Sequence, residues 1–398
     1  MKRRDFMRAA VPGALALLNA KLWAAAPGDT KLLVVMLRGA YDGASLLVPY
    51  SSEFYYRSRP GIAVPRPDSG GPDSGVALDA DWALNPVVKD SLHAMYAAKQ
   101  ALFIPFSGSE DLSRSHFQAQ DLMELGQGSG ALDYSSGYLN RLVEALAGGA
   151  PAGISFTNNL TPVFKGAIPV PNISLRGNMQ NNLPPRQSEL IASLYEGTAL
   201  WGMATAGIET RKMVSGELMT EMTESSRGAG PARAFESRAR AIAKLMRDRS
   251  AYSIGFADVG GWDTHVDQGS AQGALAANLA GLSSGLAVYA REMGALWKST
   301  VVVVMSEFGR TFRENGNRGT DHGHGNTLWV LGGGIAGGRI AGRQIAVSEA
   351  SLFQNRDFPV LNDYRSVLAD LFARMYGLGG EALGRVLPGA KAEDYGFI

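Results

Sequence analysis

The amino-acid sequence predicts an α/β fold, in which a central, mostly parallel sheet is covered by helices on both faces as a three-layer sandwich. Short uncharged runs rich in β-branched residues are typical of strands buried on both faces, and residues 300–305 are the strongest example. Segments with helical periodicity separate these runs. Glycine and ionisable residues concentrate just beyond the runs, where folds of this class place their chemistry.

Each element is predicted from its own local pattern. Apolar runs predict strands over residues 32–37, 101–106, 252–259, 300–305 and 327–331. Apolar residues at helical spacing predict helices over residues 85–100, 117–125, 188–195, 232–247, 271–297 and 361–376. Proline, asparagine, glycine and serine cluster in residues 158–230, which we interpret as an irregular insertion or cap over the main fold.

Residues 1–27 are predicted to be an export signal, with a basic region, a short apolar region and a run of alanines in that order. The apolar region is shorter than the roughly 20 residues of a membrane span, so we expect no transmembrane anchor in the mature chain, residues 28–398. Arg3, Arg4 and Phe6 resemble a twin-arginine signal, which implies the twin-arginine translocase as a partner during export. An ordinary secretory signal is the alternative. Either predicts a periplasmic or secreted protein.

Composition excludes several classes of function. Lys and Arg total 38 against 37 Asp and Glu, a net charge of +1, so the sequence predicts no nucleic-acid partner. Cysteine is absent, which excludes disulfides, cysteine-ligated zinc and thiol nucleophiles.

Three of the five histidines lie with carboxylates in glycine-rich loops beside predicted strands. Asp263 and His265 are two residues apart after one strand, so in an extended segment their side chains point the same way. Glu307 follows the valine-rich strand directly, at the expected place for a ligand or a base. The loop before the next strand contains Asp321, His322 and His324. Together with Asp263, His265 and Glu307, they make six candidate metal ligands. Such a mixture suits a divalent metal such as Zn²⁺, Mn²⁺ or iron, whereas a role in turns is the alternative for each loop.

Two further loops carry candidate residues. Asp42 follows the first strand as a candidate metal ligand or a turn residue, and Arg38 before it is a candidate anion-binding side chain. Ser115 precedes a predicted helix, whose N-terminus favours negative charge, so it is a candidate nucleophile or anion-binding residue. The alternative for Ser115 is a capping box with Gln118. His116 is a candidate for orienting a ligand or for packing under the helix.

Five motifs together resemble domain-of-unknown-function family 1501, in order and over nearly the whole mature chain: LRGAYDG at 37–43, SHF at 115–117, GWDTH at 261–265, SEFGRT at 306–311 and DHGHG at 321–325. That family is similar to the alkaline phosphatase and sulfatase superfamily, which implies an alkaline-phosphatase-like sheet and a hydrolytic site with one or two metal ions. By order, the resemblance implies Asp42 as the early ligand and Ser115 as the nucleophile. It implies Asp263 with His265 as the first ligand pair, and His322 or His324 as the late histidine.

The chain departs from the superfamily in three respects. Glu307 and Phe308 stand where the superfamily has an Asp-His pair, and the spacing between Asp263 and His265 is tighter. No cysteine is present to become formylglycine, which disfavours a conventional sulfatase mechanism.

The sequence thus predicts an exported, metal-dependent hydrolase of phosphate or sulfate esters, acting on a small-molecule or polymer substrate. Arg38, Arg114 and Arg310 are the candidates for holding the anion, while Ser115 or a bound water is the nucleophile. A non-catalytic binding or assembly protein on a hydrolase scaffold is the first alternative. Removal of a substituent from a carbohydrate or polymer is the second, with residues 158–230 selecting the substrate.

Overall fold

The computed structural model describes residues 30–130, 132–146, 152–158, 160–175, 194, 196–198, 201, 234–249, 251–391 and 393–397. The predicted export signal lies outside these ranges, as do most of the predicted cap and most of the helix predicted over residues 188–195.

The described strands form two sheets. Their bounds are β1 Lys31–Leu37, β2 Leu47–Val48, β3 Val76–Ala77, β4 Ala83–Leu84, β5 Ala101–Gly108, β6 Ala152–Phe156, β7 Tyr252–Val259, β8 Thr300–Ser306, β9 Asn326–Gly332, β10 Arg339–Ile340 and β11 Asn362–Asp363. The main sheet has eight strands in the order β10-β5-β9-β8-β1-β7-β6, with β11 also paired to β5. A small antiparallel sheet, β2-β4-β3, was not predicted from the sequence.

The described helices lie between these strands or follow the last of them. The α-helices are α1 Gly43–Leu46, α2 Glu53–Ser58, α3 Ala94–Ala97, α4 His116–Leu125, α5 Tyr138–Leu146, α6 Ala234–Asp248, α7 Ala274–Met293, α8 Tyr364–Tyr376 and α9 Gly380–Val386. Short 3₁₀ segments cover Pro67–Ser69, Pro86–Val88, Pro162–Phe164, Gly294–Ser299 and Glu349–Ser351, and Lys89–His93 is a π-helical turn.

The main sheet separates two apolar cores, which confirms the predicted α/β sandwich. Alternate residues of β1 face opposite sides: Leu33, Val35 and Leu37 enter one core, and Leu32, Val34 and Met36 enter the other. Helices α6 and α7 pack on the first face, whereas α4, α5 and α8 contribute to the second. Burial on both faces explains why these strands carry almost no polar residues.

The pairing is mostly parallel, with one exception that matters for the site. Strands β1, β6, β7 and β8 run parallel, while β9 is antiparallel to both β5 and β8. The amino end of β9 therefore lies at the same edge as the carboxyl ends of its neighbours. This reversal brings the loop before β9 to the edge where the other candidate loops emerge.

Two predicted helices are wrong in detail. Residues 85–100 do not form one helix; a 3₁₀ turn, a π turn and the short α3 follow one another there. The terminal helix begins at Tyr364 and not at Leu361, because residues 362–363 pair with β5 and the Asp363 side chain caps the helix by accepting from the Arg365 N–H.

Within the described ranges, none of the helices combines the length and the apolar character needed to cross a lipid bilayer.

The sheet core predicts a contrast between two phenylalanines. Phe103 in β5 is fully buried and packs against Tyr96 and Trp329, whereas Phe117 in α4 is 85% exposed. We expect Phe103→Ala to lower the free energy of unfolding by about 3–5 kcal/mol, because it leaves a cavity. Phe117→Ala should change it by less than about 0.5 kcal/mol. Urea denaturation of both variants measures this, and equal losses would contradict the description of the core.

Candidate metal centre

Loops from four strands meet at the carboxyl edge of the main sheet. The loop after β7 supplies Asp263 and His265, and Glu307 follows β8 directly. His322 stands in the loop before β9, and His116 is the first residue of α4, after the loop that follows β5. Residues far apart in the sequence therefore converge because their strands are neighbours.

The side chains of His116, Asp263 and His322 form a group whose ligand atoms all lie within 4.8 Å of one another. His322 Nε2 lies 2.9 Å from His116 Nε2 and 3.4 Å from Asp263 Oδ1, and His116 Nε2 lies 3.5 Å from the same oxygen. His265 adjoins this group, because its Nε2 lies 3.1 Å from His322 Nε2 and 2.9 Å from Asp263 Oδ1. We refer to these four residues as the histidine cluster.

The outer nitrogen of each ring has a partner that can only accept a hydrogen bond. His116 Nδ1 lies 2.8 Å from Glu307 Oε1, and His322 Nδ1 lies 2.8 Å from the Arg114 carbonyl oxygen. His265 Nδ1 lies 3.2 Å from Asp321 Oδ1. The Nδ1 atoms must therefore donate, which assigns the neutral tautomer of each ring from the chemistry of its partner. In that tautomer every Nε2 carries a lone pair, and the lone pairs point into the cluster.

Nitrogen atoms with facing lone pairs do not form hydrogen bonds with one another. At separations of 2.9 and 3.1 Å they repel unless a cation, either a proton or a metal ion, lies between them. Imidazole rings whose other N–H is held by a carboxylate or carbonyl are typical of metal-ligating histidines.

Glu307 lies behind His116 and is buried. Besides the His116 ring, its carboxylate accepts from the Gly39 N–H at 2.8 Å, the Gln120 amide at 2.9 Å and the Ser306 hydroxyl at 2.9 Å. Burial raises the pKa of Glu307, but the hydrogen bonds from His116 and Gln120 outweigh it and leave the pKa lowered. The hydrogen bond to Glu307 in turn raises the pKa of His116. Glu307 therefore orients His116 and does not itself face the cluster.

Arg310 fixes the other carboxylate. Its guanidinium is buried beneath the cluster, donates to Asp263 Oδ1, and lies 3.4 Å from His265 Nε2. Burial raises the pKa of Asp263, but the hydrogen bond and charge of Arg310 outweigh it, so the pKa is lowered and the group is ionised at neutral pH. The remaining Arg310 N–H groups donate to backbone carbonyls of the surrounding loops: those of Gly39, Ala40, Trp262 and Thr320.

Glycines let these loops approach each other at distances that a side chain would prevent. A Cβ on Gly319 would lie 2.3 Å from the His265 carbonyl oxygen, and one on Gly323 would lie 2.4 Å from the Arg310 carbonyl carbon. The glycine-rich composition of the loops is thus a requirement of close backbone packing at the site.

Asp42 is held elsewhere, which does not favour the predicted role of metal ligand. Both of its oxygens accept from the Arg59 guanidinium, and one also accepts from the Gln268 amide at 2.8 Å and the Ser45 hydroxyl at 2.7 Å. Burial raises the pKa of Asp42, but Arg59 outweighs it and the pKa is lowered. The pair is a buried ion pair that joins the loop after β1 to α2.

His324 also points away from the cluster. Its ring packs on Phe353 with ring centroids 4.9 Å apart, and its backbone carbonyl accepts from the Gly309 N–H at 2.7 Å. The predicted contribution of His324 to a metal site therefore finds no support in its placement.

Asp321 lies at the edge of the cluster in a supporting position. Its carboxylate accepts from the Asn315 amide at 3.0 Å and contacts His265 Nδ1. The hydrogen bond from Asn315 lowers the pKa of Asp321, together with the contact to His265. Asp321 therefore orients His265 in the way that Glu307 orients His116.

Ser115 is exposed at the N-terminus of α4, directly before His116. The capping box that was the alternative role for Ser115 does not form: the Ser115 side chain makes no capping hydrogen bond, and Gln118 instead accepts from Ser113 at 3.2 Å.

The predicted anion-binding arginines are engaged with protein groups. Arg38 donates to Glu124, Asp258 and Gln120, each at 2.8 Å. Arg114 is paired with Asp357 at 3.1 Å. These contacts make Arg38 a support for Gln120, and through Gln120 for Glu307.

Three supporting residues were missed by sequence reasoning. Gln120 lies four residues after His116, a spacing that places both on one helix face and offered a usable signal. Phe308 stacks on the His116 ring with centroids 4.9 Å apart, and Asn315 holds Asp321. Neither of the last two carries a local pattern that indicates this role.

The fold and the cluster define an α/β protein with a candidate histidine-carboxylate metal centre at the carboxyl edge of its sheet. The chain belongs to the family described as "Protein of unknown function (DUF1501)", whose model matches residues 29–388. This confirms the family indicated by the sequence motifs. No curated protein matches the sequence of this chain significantly.

Several solved structures resemble this one in fold. A protein in the alkaline phosphatase superfamily from Vibrio parahaemolyticus is 10% identical with a TM-score of 0.41, over 92% of this chain and 71% of that chain. The alkaline phosphatase from the Antarctic bacterium TAB5 is 11% identical with a TM-score of 0.34, over 77% and 92%. The lipoteichoic acid synthase LtaP from Listeria monocytogenes is 7% identical with a TM-score of 0.34, over 93% and 74%.

The cluster geometry predicts which histidines retain a metal. We expect His322→Ala to weaken Zn²⁺ binding by at least about 10- to 100-fold, because His322 Nε2 contacts every other member of the cluster. His324→Ala is the matched control and should keep its zinc, since that ring lies on Phe353. Metal content after dialysis measures both, and equal losses in the two variants would contradict the assignment.

His324 also predicts a pH dependence of stability. Burial lowers its pKa from the ordinary 6.5 to about 4. The unfolded chain therefore binds a proton at a higher pH than the folded chain, and the stabilisation present above pH 6.5 is lost as the pH falls toward 4. The loss amounts to at most about 3–4 kcal/mol, from a pKa difference of 2.5 between 6.5 and about 4.

We expect His324→Phe to lose less unfolding free energy than the unsubstituted protein between pH 7 and pH 4. Urea denaturation of the metal-free proteins at both pH values measures the difference, and parallel pH profiles would show that His324 does not contribute.

Proposed function

We propose that this protein is a metal-dependent hydrolase of phosphate or sulfate esters, with the histidine cluster holding a divalent cation. The observation that carries the proposal is the convergence of three imidazole lone pairs on one ionised carboxylate. Such an arrangement in a protein without cysteine suits Zn²⁺ or Mn²⁺.

The donor atoms of His116, Asp263 and His322 fit a metal ion in separation as well as in chemistry, since they all lie within 4.8 Å of one another. Ligands about 2.1 Å from a tetrahedral ion lie about 3.4 Å apart. The five measured separations within the cluster run from 2.9 to 3.5 Å. Glu307, Asp321 and the Arg114 carbonyl would then hold the rings in place, as outer partners of metal-ligating histidines do.

The side chains around the cluster have distinct roles in this proposal. When bound, the cation supplies Lewis-acid polarisation of the ester oxygen. Arg310 keeps Asp263 ionised and fixed. Ser115 is the candidate nucleophile, since its hydroxyl is exposed and does not cap α4, and the helix N-terminus favours the negative charge of an attacked ester. A water molecule is the alternative nucleophile.

A non-catalytic metal-binding protein is the second candidate. The engagement of Arg38 and Arg114 with protein carboxylates favours it, because these side chains were the predicted anion holders. Turnover distinguishes the two candidates, since both predict bound metal.

Export by the twin-arginine route, to the periplasm or beyond, is part of the same proposal. It is supported by the paired arginines at residues 3–4 and by a site that acquires a metal most readily in a folded protein.

The test is hydrolysis of a panel of esters by the protein loaded with Zn²⁺ or Mn²⁺. We expect 4-nitrophenyl phosphate, bis(4-nitrophenyl) phosphate or 4-nitrophenyl sulfate to be cleaved, and His322→Ala to lose activity by at least about 100-fold. Ser115→Ala tests the nucleophile, because activity that survives in it assigns the attack to water.

His324→Ala serves as the control that keeps both metal and activity. Bound metal without cleavage of any ester would favour the non-catalytic alternative. A purified protein that binds neither metal would overturn both candidates.

A further inference from the structure

An exposed phenyl ring stands directly beside the histidine cluster. Phe117 is the second residue of α4, follows the cluster residue His116, and is 85% exposed. A phenyl ring in water is unfavourable, the other phenylalanines of the described residues are buried or half-buried, and a bound apolar group would relieve the exposure of Phe117.

Three other exposed apolar side chains belong to segments that lead into the cluster in the chain or that contact α4. Val266 follows the cluster residue His265 and is 60% exposed, and Leu112 in the loop before α4 is 53% exposed. Tyr134 is 46% exposed, and its hydroxyl donates to Asp121 at 2.7 Å. We refer to Leu112, Phe117, Tyr134 and Val266 as the apolar rim.

The helix geometry relates the rim to the cluster. His116 and Gln120 share the face of α4 that points to Glu307. Phe117 and Asp121 share the neighbouring face, about 100° around the helix. The rim therefore begins beside a candidate metal ligand and runs at least about 6 Å along α4, to the turn that Tyr134 contacts.

The small area of the apolar rim and the charges within it indicate which kind of partner would cover it: a protein, a lipid bilayer or a short apolar group. Four side chains offer much less than the roughly 800 Å² per partner of a standard protein interface. Asp121 and the Lys165 ammonium, which lies 5.8 Å from the Tyr134 ring, place charges within the surface, and this disfavours immersion in a bilayer. A short apolar chain or ring that continues from a group at the cluster matches both features.

We propose that the ester cleaved at the histidine cluster carries an apolar alkyl or aryl group, which lies along the apolar rim. The proposal rests on the proposed function, because it takes the ester group to be bound at the cluster.

The test measures binding of unreactive analogues by the full-length protein loaded with Zn²⁺. Methyl-, butyl- and octylphosphonate present the same headgroup with increasing apolar length. Calorimetric titration should give octylphosphonate a dissociation constant at least about tenfold lower than that of methylphosphonate, because added methylene groups leave water on the rim.

Phe117→Ser should bring the ratio of the octyl to the methyl affinity toward one. Ile345→Ser is the matched control, since Ile345 is also exposed but lies outside the rim, and it should keep the full ratio. Thermal denaturation verifies that both variants are folded.

Any result other than stronger binding of the longer phosphonate overturns the proposal. Equal binding of the three phosphonates overturns it alone and leaves the proposed function intact. Failure of all three to bind overturns it together with the proposed hydrolysis of phosphate esters. Equal binding combined with capture of the protein by phosphatidylcholine vesicles, lost in Phe117→Ser, would assign the rim to a membrane surface.

Discussion

Three imidazole rings turn their Nε2 atoms toward one another and toward Asp263, because each Nδ1–H is held from behind by an oxygen that can only accept. Lone pairs at such separations repel unless a proton or a metal ion lies between them. The surrounding residues hold the three imidazole rings in this orientation. Glu307 and Asp321 orient two rings, a backbone carbonyl orients the third, and Phe308 covers the His116 ring on one side.

The convergence in turn depends on loops that are joined by buried polar groups. Arg310 donates to carbonyl oxygens from three loops and thereby ties the segments after β1 and β7 to the one before β9. A second connection runs through Gln268, which donates to Asp42 and accepts from Thr264 and Thr320. Thr264 precedes His265 and Thr320 precedes Asp321, so this buried amide links two site loops. Backbone carbonyls and amides satisfied in this way hold irregular loops at a defined spacing.

The sequence predicted well the features that depend on residues close together in the chain, and poorly those that depend on contacts between distant segments. The strands were predictable because burial on both faces excludes polar residues, as in residues 300–305. The histidine-rich loops were predictable because glycine, histidine and carboxylates concentrate after strand ends. The roles within those loops were not. Glu307, expected at a ligand position, lies behind His116, and Asp42 pairs with Arg59, a residue that no local pattern connects to it. The ligand set itself stays a prediction.

The family, the layered α/β fold and the loops that carry the chemistry can be inferred from the amino-acid sequence, because they follow from periodicity, burial and local motifs. Which atoms meet depends on contacts that form only in the folded protein. His322 and His324 are two residues apart in one loop, yet one enters the cluster and the other packs on Phe353. The antiparallel direction of β9 brings this loop to the site, and the close backbone contacts at Gly319 and Gly323 hold it against its neighbours. Both arise from contacts between segments distant in the chain, which no local pattern encodes.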